Sequence, residues 1–176
     1  VREAGGLVSI NSTLGQGTTF HLLLPITRAL VRALLVLVAG EPYAFPLARL
    51  DRVLSMPRNA IQTTEGKQYV MLHGEPVGIS WASQVFQVPG QTQREVDDLT
   101  VVVIGERRRR HALIVDKFIG ERSLVMRPLD ARLGPVPGIQ SVAILDEGMP
   151  ILLVDIEGTL ELLPRLNLRL ITAAAT

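Results

Sequence analysis

The sequence contains no cysteine, which removes disulfide staples, thiolate metal sites and a cysteine nucleophile together. Aromatic residues make up only 4% of its 176 positions, too few for a platform on which bases could stack. Neither sign of charge prevails. The net charge of +1 gives no broad field to draw nucleic acid or anionic lipid. No apolar run reaches the roughly 20 uninterrupted residues that span a bilayer. The strongest, ALVRALLVLVAG (29–40), is broken by Arg32. An initiator methionine and a signal-peptide core are missing too: the chain opens on Val1-Arg2-Glu3, as expected of a piece of a longer protein.

What is present suits a folded domain, with 47% apolar and 20% charged residues. A chain of this size buries roughly 70% of its unfolded surface and needs no covalent staple. Its texture is short valine- and leucine-rich runs punctuated by 15 glycines and 11 prolines. These runs predict strands at 34–38, 43–46, 69–72, 76–79, 100–104, 111–116, 123–127, 142–145 and 151–155. Helical periodicity is scarce. Leu47, Leu50 and Leu54 predict about two helical turns in LARLDRVL (47–54). GISWASQVF (78–86) and IEGTLELL (156–163) predict two more short helices, and LRLITAAAT (168–176) has no caps, so its end is expected to fray. The polar PGQTQREVDD (89–98) reads as an exposed loop between two halves.

Those halves echo one another. VLVAGEPYAFPLARLDRVL and VVVIGERRRRHALIVDKFI share Gly-Glu (Gly40-Glu41, Gly105-Glu106) and an Asp followed by a basic residue (Asp51-Arg52, Asp116-Lys117) at one constant offset. A second echo follows in the same order, VMLHGEPVGI against AILDEGMPILL, with Gly74-x-Pro76 answering Gly148-x-Pro150. The pattern predicts two similar β units of about 60–70 residues, a size at which small barrels close their own edges.

Reactive constellations are few. His21, His73 and His111 sit in separate segments without metal-ligand spacing. Asp51, Asp116, Asp146, Glu147 and Asp155 fall at strand ends or turns, where aspartate serves backbone geometry. Ser80 lacks the glycines of a nucleophile elbow. ERRRRH (106–111) lies where a hairpin turn belongs and reads as a solvated turn rather than a phosphate grip.

STLGQGTTFHLLLP (12–25) raises a different question. Gly15 and Gly17 allow backbone N–H groups to turn toward an anion, but hairpins use glycine for the same reason. Phe20, Leu22 and Leu24 fall on one strand face by period two. Only fourteen residues precede Gly15, too few for the acidic and Mg²⁺-holding parts of a nucleotide site.

GGLVSINSTLGQGTTFHLLLPIT (5–27) resembles the last hairpin of the histidine-kinase ATPase domain, including its final glycine box. ALLVLVAGEPYAFPLARLDRVL, HALIVDKFIGERSLVMRPL, VPGIQSVAILDEGMPILLVDI and LELL resemble the CheW-like regulatory domain that follows it in CheA-type chemotaxis kinases. The resemblance implies a mainly β fold, two intertwined SH3-like five-stranded barrels preceded by the ATPase hairpin remnant. It divides the chain into the hairpin (1–27), the regulatory domain (28–163) and a tail (164–176). It also implies a cytoplasmic scaffold at receptor arrays, docking to a CheW-type coupling protein and to chemoreceptor tips. Neither nucleic acid nor membrane insertion is expected. Gly15, Gly17 and Thr18 would contact ATP, with its Mg²⁺, only in the parent kinase, a homodimer; this piece lacks the catalytic core and would hold no cofactor. Val53, Leu54, Phe118, Ile119, Val136 and Ile139 are the candidate partner contacts, without catalytic or metal residues. The alternative reading is a nucleotide-binding fragment with residual ATP affinity through the glycine loop 15–17.

Overall fold

The computed structural model describes residues 7–23, 30–89, 97–106, 109–145 and 148–173. It opens with an antiparallel hairpin of β1 (Leu7–Thr13) and β2 (Gly17–Leu23). The turn needs its glycines, since Gly15 and Gly17 take φ of +81° and +108°. Ile10 pairs with Phe20 and Asn11 with Thr19, so apolar and polar side chains take opposite faces. Both faces are bare: Ile10 is 58% and Phe20 59% exposed. The side chains of Leu22 and Leu24 lie outside the described residues.

The remainder is mainly β, as expected. It runs through β3 (Leu30–Val38), β4 (Glu41–Pro46), β5 (Leu50–Pro57), β6 (Gln62–Thr64), β7 (Lys67–Leu72) and β8 (Glu75–Trp81) to the short helix α1 (Ala82–Val85). Then come β9 (Asp98–Glu106), β10 (Arg109–Val115), β11 (Lys117–Arg127), β12 (Ile139–Ile144), β13 (Pro150–Val154) and α2 (Ile156–Ala173). Five strands close a barrel in the order β11-β12-β13-β4-β3. The others form a six-stranded sheet, β5-β9-β10-β8-β7-β6, around a core of its own. That second unit has one strand more than the expected five, and its ladder ends on β5 and β6 without closing.

The two units are intertwined by strand exchange. Each half of the chain supplies a hairpin, β3–β4 or β9–β10, whose first strand is nine residues long. β3 pairs with β11 of the other half, and β9 pairs with β5 of the other half. β4 lies parallel to β13 as β10 lies parallel to β8. Even the irregularities correspond, with bulges between Leu50 and Arg52 on β5 and between Phe118 and Gly120 on β11. The duplication is therefore real, but the Gly-Glu echo is out of register with it. Gly40 sits in the tight β3–β4 turn, whereas Gly105 lies inside β9. The second echo is the hairpin pair β7–β8 and β12–β13.

Exchange explains why the longest apolar runs do not alternate. On β3, Ala33 and Leu35 enter the barrel core while Leu34, Val36 and Val38 enter a central core between the units. On β9, Val101 and Val103 enter the sheet core while Val102 and Ile104 face the central one. A strand buried on both faces reads as a continuous hydrophobic run.

Three local expectations are corrected. Residues 50–54, predicted helical, are part of β5; only Leu47–Arg49 makes a 3-10 turn. Arg52 takes an inward position and Val53 an outward one, which hides the period of two. The helix expected over 78–86 shrinks to α1, because Gly78–Trp81 belong to β8. Conversely, α2 runs past the expected boundary at 163 to Ala173, with Pro164 inside it. Most of the predicted loop, residues 90–96, lies outside the described residues.

Candidate docking surface

The six candidate contacts do not form one patch. Val53 is 40% exposed on the outward face of β5, and Ile119 is 48% exposed on β11. The two occupy different sheets: Ile119 is the unpaired residue of the β11 bulge, and Val53 pairs with Val102 just past the β5 bulge. Leu54 is half-buried against the sheet core, and Phe118 and Ile139 are half-buried against the central core. Val136 is half-buried too; its carbonyl accepts from the Ile139 N–H at 3.1 Å.

A more coherent apolar row crosses the outside of the closed barrel. Leu30 pairs directly with Val125 across β3 and β11 and is 67% exposed, against 48% for Val125. Met126 pairs with Ala143 inside the barrel, so the adjacent residues Val125 and Ile144 both point outward at the same level. Ile144 is 51% exposed and pairs with Pro150 on β13. Arg32 flanks the row, held to Glu121 at 3.2 Å. The signal was in LVM (124–126): successive strand residues alternate in direction, so Val125 cannot share a face with Leu124 and Met126.

Elsewhere, polar side chains do structural work. Asp116, between β10 and β11, accepts from the Gly40 N–H at 2.8 Å and so ties the crossover to the β3–β4 turn. His111, on β10, is buried; its Nε2 lies 3.0 Å from Ser80 Oγ. Burial holds its pKa down to about 4. Its ring fills the space over Gly78, where an added Cβ would come within 2.8 Å of Nδ1. His21 is exposed on β2 and His73 sits in the β7–β8 turn, and no group of metal-binding residues occurs among the described ones.

The arginine run is not simply a solvated turn. Arg109 and Arg110 belong to β10, and 107–108 lie outside the described residues. Arg109 reaches Glu157 at the start of α2, which Arg49 also reaches, each at 3.5 Å. The Arg110 side chain is only 12% exposed, bridging Asp51 of β5 at 3.4 Å and Glu75 of β8. Beside Pro57, Arg58, Asn59, Asp97 and Asp98 lies an open cleft of about 470 Å³. Nor does any helix among the described residues have the length and apolarity to cross a membrane.

Comparison with known proteins agrees with this architecture. The chain is 35% identical to the chemotaxis protein CheA of Salmonella typhimurium, over 99% of this chain and 26% of that one. It is 29% identical to the sensor histidine kinase CheAY of Helicobacter pylori, over 98% of this chain and 21% of the relative. The chain thus spans about a quarter of the length of these relatives. The crystal structure of the scaffolding protein TtCheW from Thermoanaerobacter tengcongensis superposes with a TM-score of 0.58 at 15% identity. That overlap covers 72% of this chain and 90% of the other, a likeness of fold. The CheW-like domain family matches residues 32–163, which includes every strand of both units but the first two residues of β3, and the chain belongs to that family.

Proposed function

We propose that this chain is the receptor-coupling portion of a CheA-type sensor kinase. It binds a CheW-type adaptor and the cytoplasmic tips of chemoreceptors, in arrays at the inner face of the membrane. The observation that carries this reading is the outward apolar row Leu30, Val125 and Ile144 on a CheW-like barrel. Exposed apolar side chains ringed by charge suit a surface that is covered by another protein. Of the six candidate contacts, Val53 and Ile119 are kept as contacts, since their side chains face solvent. Leu54, Phe118, Val136 and Ile139 support the surface from beneath. Coupling then needs no covalent chemistry here: receptor state alters the docked geometry, and the difference in contact energy shifts kinase output. In the longer homodimeric kinase, Gly15, Gly17 and Thr18 would complete an ATP and Mg²⁺ site whose other parts precede this hairpin.

Isothermal titration with a purified CheW-type protein tests the reading. Saturable binding at micromolar concentration is expected, weakened at least tenfold by Val125→Asp. No binding at high micromolar concentration would overturn it.

A further inference from the structure

The open sheet differs from the closed barrel in how its two ends meet. β5 is the first strand of its order and β7 the fifth, yet Leu54 and Met56 of β5 share a core with Val70 and Leu72 of β7. The sheet therefore curls until these strands approach, without a backbone ladder between them. Side chains span the gap instead. Arg52 of β5 contacts His73 in the β7–β8 turn and is held by Asp51 at 2.9 Å. Arg110, pointing to the inner side of β10 like Ala112 and Ile114, grips Asp51 and Glu75 from below. Its Nε is buried and has no hydrogen-bond partner, so the bridge rests on the two terminal nitrogens.

From this we infer that Asp51, Arg52, His73, Glu75 and Arg110 form a charge clasp that closes the second unit, and that its release frees β5 as a local opening of the fold. A strand held by one ladder and side-chain contacts opens at lower cost than one laddered on both sides. β5 meets that description; β3, laddered to β4 and β11, does not. Release would uncover Leu54 and Met56 while leaving the closed barrel intact.

Hydrogen–deuterium exchange on the full chain reads this directly. The inward-paired amides of β5 should exchange at least tenfold faster than those of β3, and Arg110→Met should widen the gap at least tenfold further. Glu75→Gln provides a gentler variant should Arg110→Met not fold. Because the chain has no cysteine, Arg52→Cys combined with His73→Cys can be bridged selectively by a short thiol-reactive linker. Bridging should slow β5 toward the rate of β9. The inference is overturned if β5 and β3 exchange at one rate, or if β5 is indifferent to both the clasp variants and the bridge.

Discussion

Lowering the pH from about 7 to about 5 should destabilise the fold by about 2 kcal/mol through His111 alone. The ring lies buried on β10 against Gly78 and Ser80, and burial holds its pKa down to about 4, from 6.5 for the free side chain. Between those values the unfolded chain takes up a proton that the folded chain refuses, so stability falls as the pH falls. The contribution is intact above about pH 7 and fully lost only below about pH 4. At about pH 5 the unfolded histidine is almost wholly protonated and the folded one about a tenth so, which is where the 2 kcal/mol arises. Urea denaturation at a series of pH values measures it, with His111→Phe as the reference. Phenylalanine keeps a ring over Gly78 but leaves the Ser80 hydroxyl unpaired, an offset of about 1 kcal/mol at every pH. Carboxylates titrate in both proteins and cancel in the difference. The wild type should therefore lose about 2 kcal/mol more than the variant over this interval. Two parallel curves would refute the reasoning.

Other perturbations separate the parts of the molecule. Gly105→Ala should cost roughly 3 kcal/mol or more in chemical denaturation, because its Cβ would meet the Arg109 carbonyl oxygen at 2.1 Å at a φ of +86°. Gly15→Ala carries a similar φ with nothing within 4 Å, so it should strain only the hairpin and leave the melting of the two units unchanged. Asp116→Ala removes the acceptor of the Gly40 N–H and should cost about 1 kcal/mol, measured by the same denaturation. Ile119→Asp places a charge where the side chain is 48% exposed; it should weaken adaptor binding in titration calorimetry while the melting temperature stays within a degree or two, about the effect of a neutral surface change.

Much of the architecture was legible because backbone chemistry is local. The hairpin β1–β2 follows from Gly15 and Gly17, and the two Gly-x-Pro segments mark real hairpins. What period and propensity could not supply was the partner of each strand. Leu47, Leu50 and Leu54 satisfy a helical spacing, yet β9 offers Leu50–Pro57 an edge to pair with, and pairing prevails over a weak local preference. Arg110 was hidden for the same reason. A run of four arginines looks like solvent-facing charge until the fold brings Asp51 and Glu75 to one of them. The docking surface was half legible. Val53 and Ile119 do face outward, but an inward Arg52 on β5 and the bulge on β11 break the apolar period of two that would have marked them. Leu54, Phe118 and Ile139 look alike in sequence and differ only in what packs over them. The row Leu30, Val125 and Ile144 joins residues far apart in the chain, so only the ladder assembles it.

Strand exchange also determines how a force on one unit reaches the other. β10 belongs to the open sheet and β11 to the closed barrel, with only Asp116 between them. Asp116 in turn holds the β3–β4 turn, so displacing β11 moves the carboxylate, the Gly40 amide and the hairpin together. The central core makes such a displacement costly, since it takes side chains from β3, β4, β9, β10 and both helices. Neither exchanged hairpin can shift separately without opening that core. Docking on either outward face therefore acts on a body with two packed units and one shared interior. The clasp on β5 offers such a body a local way to yield, on the strand that carries Val53. An adaptor bound there would meet a strand held by charges rather than by a second ladder, and that difference in stiffness is what distinguishes the two otherwise corresponding edges.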